Sequence, residues 1–125
     1  MPYQQRDIVK VNIPLPDKGN TGTTHPFVII SNFRAITHEE KNAQRTYIGV
    51  MITHSTTLDK FSFMISKDMV DGTIDDGCQI REHLVVYFRE EDISRDSNAY
   101  CGKLKPHYFQ MLIDQIKDNV LSIDK

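Results

Sequence analysis

Hydrophobic residues in the first two thirds of the chain fall in short runs, many of them β-branched, separated by polar or glycine-containing stretches. In residues 6–13 the apolar side chains of Val9, Val11 and Ile13 alternate with those of Ile8, Lys10 and Asn12, and this period of two predicts a strand. Residues 26–31 are apolar almost throughout, which is typical of a strand buried on both faces. Further strands are predicted at residues 47–53, 61–65, 78–80 and 83–88.

The C-terminal part has a different period. From Leu104 to Val120 apolar residues recur every three or four positions, and Pro106 stands where the first turn of a helix would begin. A helix is therefore predicted here, with its apolar stripe packed on the core. Short strands followed by one helix indicate a mainly β domain over residues 1–125: a small, strongly bent sheet or partly open barrel capped by the helix.

The connecting segments carry turn-forming residues. Residues 32–46 are polar and predict a loop with a helical turn from Thr37, because Thr37 and Glu40 have the spacing of a capping box. Asp71-Gly72 and residues 75–77 predict two sharp reversals. Gly49, inside a strand, indicates a bulge or a close approach of two backbones.

Composition is that of a globular protein, with 39% hydrophobic and 26% charged residues. Apolar runs are far too short for a membrane span, the first residues contain no apolar signal segment, and the two cysteines are expected to be reduced, so we expect a cytoplasmic protein. A net charge of −2 argues against nucleic-acid binding through bulk electrostatics, although it leaves room for a local basic groove.

The sequence lacks the motifs of several classes of enzyme. The five histidines are scattered, the two cysteines lie far apart, and neither a phosphate-binding GxxxxGK[ST] loop, a GxGxxG turn nor a GxSxG elbow is present. We therefore expect no metal and no cofactor, and set aside dehydrogenase, P-loop and serine-hydrolase functions.

Polar groups at the predicted strand ends offer a different chemistry. His25 precedes Pro26 at the end of a Gly/Thr-rich loop, Thr53 ends one strand and Arg81 follows another. A base, a hydroxyl and a cation are what cleavage of a phosphodiester by an RNA 2′-hydroxyl requires, with His54 as a second candidate for proton transfer. His25 and Arg81 also have purely structural explanations. His25 could hydrogen-bond to a loop carbonyl, and Arg81 could form a surface ion pair with Glu82 or Glu91.

The order of motifs resembles the MazF/PemK (Kid) toxins of bacterial toxin–antitoxin systems. That family has a G-D-I-[VW]-x-V strand, a G-x-R-P loop before an apolar strand ending in Ser or Thr, P-[IV]-T-S, D-Q-[VI]-[RK] and G-[RK]-L-x-P before a helix. The corresponding stretches here are RDIVKV (6–11), GTTHPFVIIS (22–31), MITH (51–54), CQIR (78–81) and CGKLKP (101–106).

The resemblance implies an SH3-like barrel, a homodimer and metal-independent cleavage of single-stranded RNA to a 2′,3′-cyclic phosphate, inhibited by a cognate antitoxin protein. It places His25 at the family's loop arginine, Thr53 at its strand-end threonine and Cys78 at its aspartate, while Gln79 and Arg81 match. Catalytic roles are thus expected for His25, Thr53 and Arg81. The residues expected to contact RNA are Lys18, Asn20, Thr21, Thr23, Thr24, His54, Ser55 and Gln79.

Two alternatives stay open at this point. The same fold could serve as a catalytically inactive module that binds another protein, or as a toxin that targets gyrase. Stable binding to a protein partner without RNA cleavage would indicate the first, and inhibition of decatenation would indicate the second.

Overall fold

The computed structural model describes residues 3–14, 22–32, 37–38 and 45–123 of the chain. Within them, short antiparallel strands form one curled sheet with the strand order β5-β7-β4-β2-β1-β8-β6, and β3 pairs with β4 beside this path. The strands are β1 (Asp7–Pro14), β2 (Gly22–Ile29), β3 (Thr37–His38), β4 (Arg45–Thr53), β5 (Ser62–Ile65), β6 (Val70–Gly72), β7 (Cys78–Arg89) and β8 (Tyr100–Leu104). Helix α1 (Pro106–Asn119) follows, and short 3-10 turns lie at Lys67–Met69 and Glu90–Asp92.

An apolar cluster packs on each face of the sheet. Ile8 and Val28 belong to one apolar cluster, on which Leu112 and Ile116 of α1 pack. Their strand neighbours point the other way, into a second cluster that contains an aromatic group built from Phe27, Tyr47 and Phe88. The prediction that the second strand is buried on both faces is confirmed, since Phe27, Val28 and Ile29 are fully buried. The mainly β class with a C-terminal helix is confirmed as well.

Strand boundaries differ from the prediction in places. The two strands predicted at residues 78–80 and 83–88 are one strand, β7, which changes its register with β4 between Val50 and Ile52. Asp71-Gly72 is no reversal, because it belongs to β6. The helical turn expected from Thr37 is wrong where the chain is described, because Thr37–His38 pairs with β4 as β3.

Two glycines allow β6 and β8 to pair closely. Gly72 and Gly102 face each other across the ladder, and both have positive φ, of 153° and 136°. A Cβ built on Gly102 would lie 2.6 Å from the carbonyl oxygen of Asp71, closer than real Cβ contacts come. At Gly49 a Cβ would lie 2.8 Å from the ring of Phe88, which confirms the predicted close approach.

No helix of the described residues has the length and apolarity needed to cross a membrane.

Candidate active site

His25 and Thr53 lie on the same face of two adjacent strands. The ladder between β2 and β4 ends at the pair Phe27–Met51. His25 is two residues beyond Phe27 and Thr53 is two residues beyond Met51, so the period of two puts both on the face that carries Phe27. Both side chains are half-buried. The structure thus places a hydroxyl and an imidazole on one sheet face, beyond the last β2–β4 pair. Their catalytic roles stay predictions.

Gln79 and Arg81 continue this face on β7. Thr53 pairs directly with Gln79, and Arg81 follows two residues later. Unlike His25 and Thr53, both are buried: the exposed fraction is 0% for Gln79 and 8% for Arg81. Neither side chain is presented to solvent as a surface contact for RNA.

Arg81 is held by a carboxylate. Its Nη1 and Nη2 donate to the two carboxylate oxygens of Asp59, each at 3.0 Å. Nη1 also donates to Oγ of Ser62 at 3.0 Å and to Oε1 of Gln79 at 3.1 Å. The bonds from Arg81 to Asp59, followed by the one from the backbone N–H of Phe61, hold the pKa of the Asp59 carboxyl below its usual range. The partner of Arg81 is therefore Asp59, and not Glu82 or Glu91 as the sequence suggested.

The side chain of Gln79 hydrogen-bonds to the segment that follows β4. Its side-chain amide donates to the carbonyl oxygens of Ser55 at 2.7 Å and Thr57 at 2.8 Å, while its own oxygen accepts from Arg81. A buried glutamine with every hydrogen-bonding group satisfied fixes the geometry of its partners. Gln79 and Arg81 together hold residues 54–60 against β7 and β5.

His54 lies on the opposite face from Thr53. Its Nε2 is 3.3 Å from Sγ of Cys78 and 3.6 Å from a carboxylate oxygen of Asp75, and its side chain is 68% exposed. This face carries a cavity of about 350 Å³, whose wall includes Lys10, Pro26 and His54. The structure therefore separates the two histidines that the sequence offered for proton transfer.

Cys78, which the motif resemblance aligns with the family's aspartate, is buried, and its charged form is disfavoured. The side chain is buried in the core cluster. Burial, followed by the negative charges of Asp75 and Asp76, raises the pKa of its thiol. Because it is buried and its charged form is disfavoured, Cys78 serves as a small core residue.

Of the other residues expected to contact RNA, Thr24 is exposed on β2, opposite Asn12. Ser55 is exposed too, and its backbone N–H donates to Oγ1 of Thr53 at 3.3 Å. Lys18, Asn20 and Thr21 lie outside the described residues, as does the side chain of Thr23. Contact with RNA stays a prediction for all of them.

Asp59 and Ser62 were not singled out from the sequence. Ser62 pairs with Arg81 across β5 and β7, and its Oγ donates to the carbonyl of Thr57 while it accepts from Arg81. A weak signal existed: an aspartate three residues before a serine is typical of a tight turn, and here the N–H of Asp59 bonds to Ser62. Within the described residues, no group of three or more His, Cys, Asp or Glu side chains is arranged to hold a metal ion.

No family model matches the sequence, and a search of curated proteins finds no match. Solved structures do match. A mycobacterial endoribonuclease in complex with its cognate antitoxin superposes with a TM-score of 0.66 at 10% identity, over 99% of this chain and 100% of that one. The MazE-MazF complex of Deinococcus radiodurans gives 0.67 at 6% identity, over 97% of both chains. This chain has the MazF-like fold.

A second mycobacterial endoribonuclease agrees, with a TM-score of 0.65 at 9% identity over 93% of this chain and 88% of that one. Coverage of nearly the whole chain in each case confirms the fold that the order of motifs implied. At these identities the likeness establishes the MazF-like architecture, whereas activity depends on the site itself.

Proposed function

We propose that this protein is the toxin of a toxin–antitoxin pair and that it cleaves single-stranded RNA through the RNA's own 2′-hydroxyl. The observation that carries the proposal is the placement of His25 and Thr53 on one face of adjacent strands, beyond the last β2–β4 pair. The MazF-like fold supports it, since two of the matching structures are endoribonucleases.

In this proposal His25 and Thr53 act on the scissile phosphate. The neutral imidazole of His25 takes the proton of the 2′-hydroxyl, whose oxygen then forms a bond to phosphorus. The bond from phosphorus to the 5′-oxygen breaks, solvent protonates that oxygen, and a 2′,3′-cyclic phosphate remains. The hydroxyl of Thr53 donates a hydrogen bond to a non-bridging oxygen, where negative charge builds up. These steps use no metal ion.

Arg81 has no direct contact with phosphate in this proposal. Its guanidinium faces a carboxylate at 3.0 Å through two hydrogen bonds, so its charge is already compensated. A phosphate at the side of Arg81 that Asp59 occupies would have to displace that carboxylate.

The proposed partners are single-stranded RNA, a cognate antitoxin protein and a second copy of this chain. The antitoxin is supported by the fold likeness to structures that contain one: an endoribonuclease with its cognate antitoxin and a MazE-MazF complex. The homodimer rests on the family resemblance in the motifs. We place the protein in the cytoplasm, where its RNA substrate would be.

The test is cleavage of single-stranded RNA by purified protein, with and without EDTA, followed by analysis of the new ends. Wild type should give cyclic-phosphate ends in both conditions. His25→Ala should lower the rate by about 100-fold or more, as expected for loss of a general base, and Thr53→Val should lower it less. His107→Ala, an exposed histidine on α1, is the matched control and should cleave like wild type. Wild-type protein without cleavage, or His25→Ala with normal cleavage, would refute the proposal.

A further inference from the structure

Residues 54–60, between β4 and β5, contact Gln79 and Arg81 of β7. We call this segment the strap. Most of its side chains are exposed, and it has no regular secondary structure. Polar side chains of β7 hold the strap in place. Gln79 donates hydrogen bonds to two of its carbonyl oxygens, and Arg81 donates to the carboxylate of Asp59. A segment with few apolar contacts depends on such bonds for its order.

We propose that Gln79, Arg81 and Asp59 are positioning residues, which fix the strap and through it Thr53, and that Arg81 is no ligand of the RNA phosphate. This inference rests on the proposed function for its catalytic consequence. It assigns Asp59 a role that the sequence motifs do not mark, and it reassigns Arg81 and Gln79 from substrate contact to support.

The connection from this network to Thr53 is short. Thr53 and Gln79 are directly paired on adjacent strands. The hydroxyl of Thr53 accepts from the N–H of Ser55, and the carbonyl of Ser55 accepts from Gln79. Releasing the strap would therefore remove the bond that orients the Thr53 hydroxyl. Misplacement of a catalytic group by about 1 Å can cost about 100-fold in rate.

The hydrogen-bond partners of Gln79, Ser62 and Arg81 indicate that these residues have a structural role. The amide of Gln79 uses both hydrogens and its oxygen. Oγ of Ser62 donates to the carbonyl of Thr57 and accepts from the N–H of Asp59 and from Arg81. Arg81 donates to three different side chains while 8% of its surface is exposed. A cation meant for substrate would keep donors facing solvent, whereas these face protein acceptors.

The two roles of Arg81 predict opposite effects of removing Asp59. If Arg81 positions the strap, Asp59→Ala should lower the cleavage kcat by about 10- to 100-fold with little change in KM. Arg81→Ala should lower kcat to a similar extent. The double variant should have about the same kcat as either single variant, because each single change already breaks the Arg81–Asp59 interaction. If Arg81 binds phosphate, Asp59→Ala should release it and raise RNA affinity or rate, while Arg81→Ala should raise KM.

Hydrogen exchange of the strap amides, compared by NMR, tests the structural part without any RNA. Exchange at Ser55 and Thr57 should be faster in Asp59→Ala, Asp59→Asn and Gln79→Met than in wild type. Asp59→Asn, which keeps neutral hydrogen-bonding groups at this position, guards against a loss of folding in the alanine variant. Arg89→Ala is the matched control, since Arg89 lies on the same strand in an exposed pair with Glu91.

Each outcome has a defined meaning. Faster strap exchange together with lower kcat in the Asp59 and Arg81 variants supports the inference. Unchanged exchange, or higher activity in Asp59→Ala, overturns it. If wild type cleaves no RNA, the proposed function fails on its own, and the exchange measurements still decide whether these residues hold the strap.

Discussion

Glu82 is a buried glutamate, and we expect ionisation of its carboxyl to cost stability. The residue is fully buried on β7, beside Arg81 and on the opposite face. Its Oε1 accepts from Nδ2 of Asn119 at 3.2 Å, whereas within the described residues Oε2 has no hydrogen-bond partner. Burial raises the pKa of this carboxyl above its ordinary value of 4.5, against the smaller opposing effects of the Asn119 hydrogen bond and the Arg81 charge.

The sign of the pH dependence follows from this direction. Because the folded-state pKa is raised, the folded protein binds more protons than the unfolded chain between the two pKa values, and stability falls as pH rises through that window. Below the ordinary value of 4.5 the carboxyl is protonated in both states and this loss is absent. The cost that depends on pH is that of burying the charge, which a neutral side chain at this position does not carry.

Glu82→Gln should therefore raise the free energy of unfolding by about 1–2 kcal/mol at pH 8, and by much less at pH 4. The amide keeps an oxygen for Asn119 and removes the charge. The assay is urea denaturation at several pH values, followed by far-UV circular dichroism because the chain contains no tryptophan.

Asp118→Asn is the matched control for this measurement. It removes the same charge from an exposed position next to Asn119, so its stability difference from wild type should stay small at every pH. A Glu82→Gln difference that does not grow between pH 4 and pH 8 would refute the argument, since it would mean that burial does not disfavour the carboxylate.

Two further predictions concern the fold. Gly102→Ala should destabilise the protein by about 2 kcal/mol or more, because the new Cβ would meet the carbonyl of Asp71 and the residue has positive φ. Gly77 also has positive φ, but a Cβ built there meets no atom within 4 Å, so Gly77→Ala should lower the free energy of unfolding by only about 1 kcal/mol. Equal decreases in Tm for the two variants would contradict the steric part of the argument. The thiol of Cys78 should react with a disulfide reagent at pH 8 far more slowly in native than in urea-unfolded protein, because burial shields it and raises its pKa; fast native labelling in a Cys101→Ser background would show that the core opens there.

The parts of the fold predicted from sequence are those with a strong period of their own. Alternation gave β1, and the three- to four-residue spacing gave α1 from Pro106 onward. The short strands β6 and β8 were missed because each contains a glycine and they are held mainly by neighbouring strands. Such pairing lies in tertiary contacts between distant segments, which local propensity does not encode.

The arrangement of the candidate site residues followed only in part from the sequence. His25 and Thr53 share a face, yet His54 lies on the other one, because neighbouring residues at a strand end point in opposite directions. The partner of Arg81 is 22 residues away in the chain, and only the β5–β7 register brings Asp59 within reach. Residue types and spacing indicate which groups are available, whereas register decides which of them meet.

The buried polar residues of β7 tie two parts of the molecule together at the end of the strap. Arg81 holds Asp59 from one face, while Glu82, the next residue, meets Asn119 of α1 on the other. Nδ2 of Asn119 also donates to the carbonyl of Lys60, the last strap residue, at 2.8 Å. The strap is thus fixed both by the strand beneath it and by the end of the helix. Because one amide group bridges helix, strap and β7, we expect a shift of the α1 C-terminus to move the strap as well.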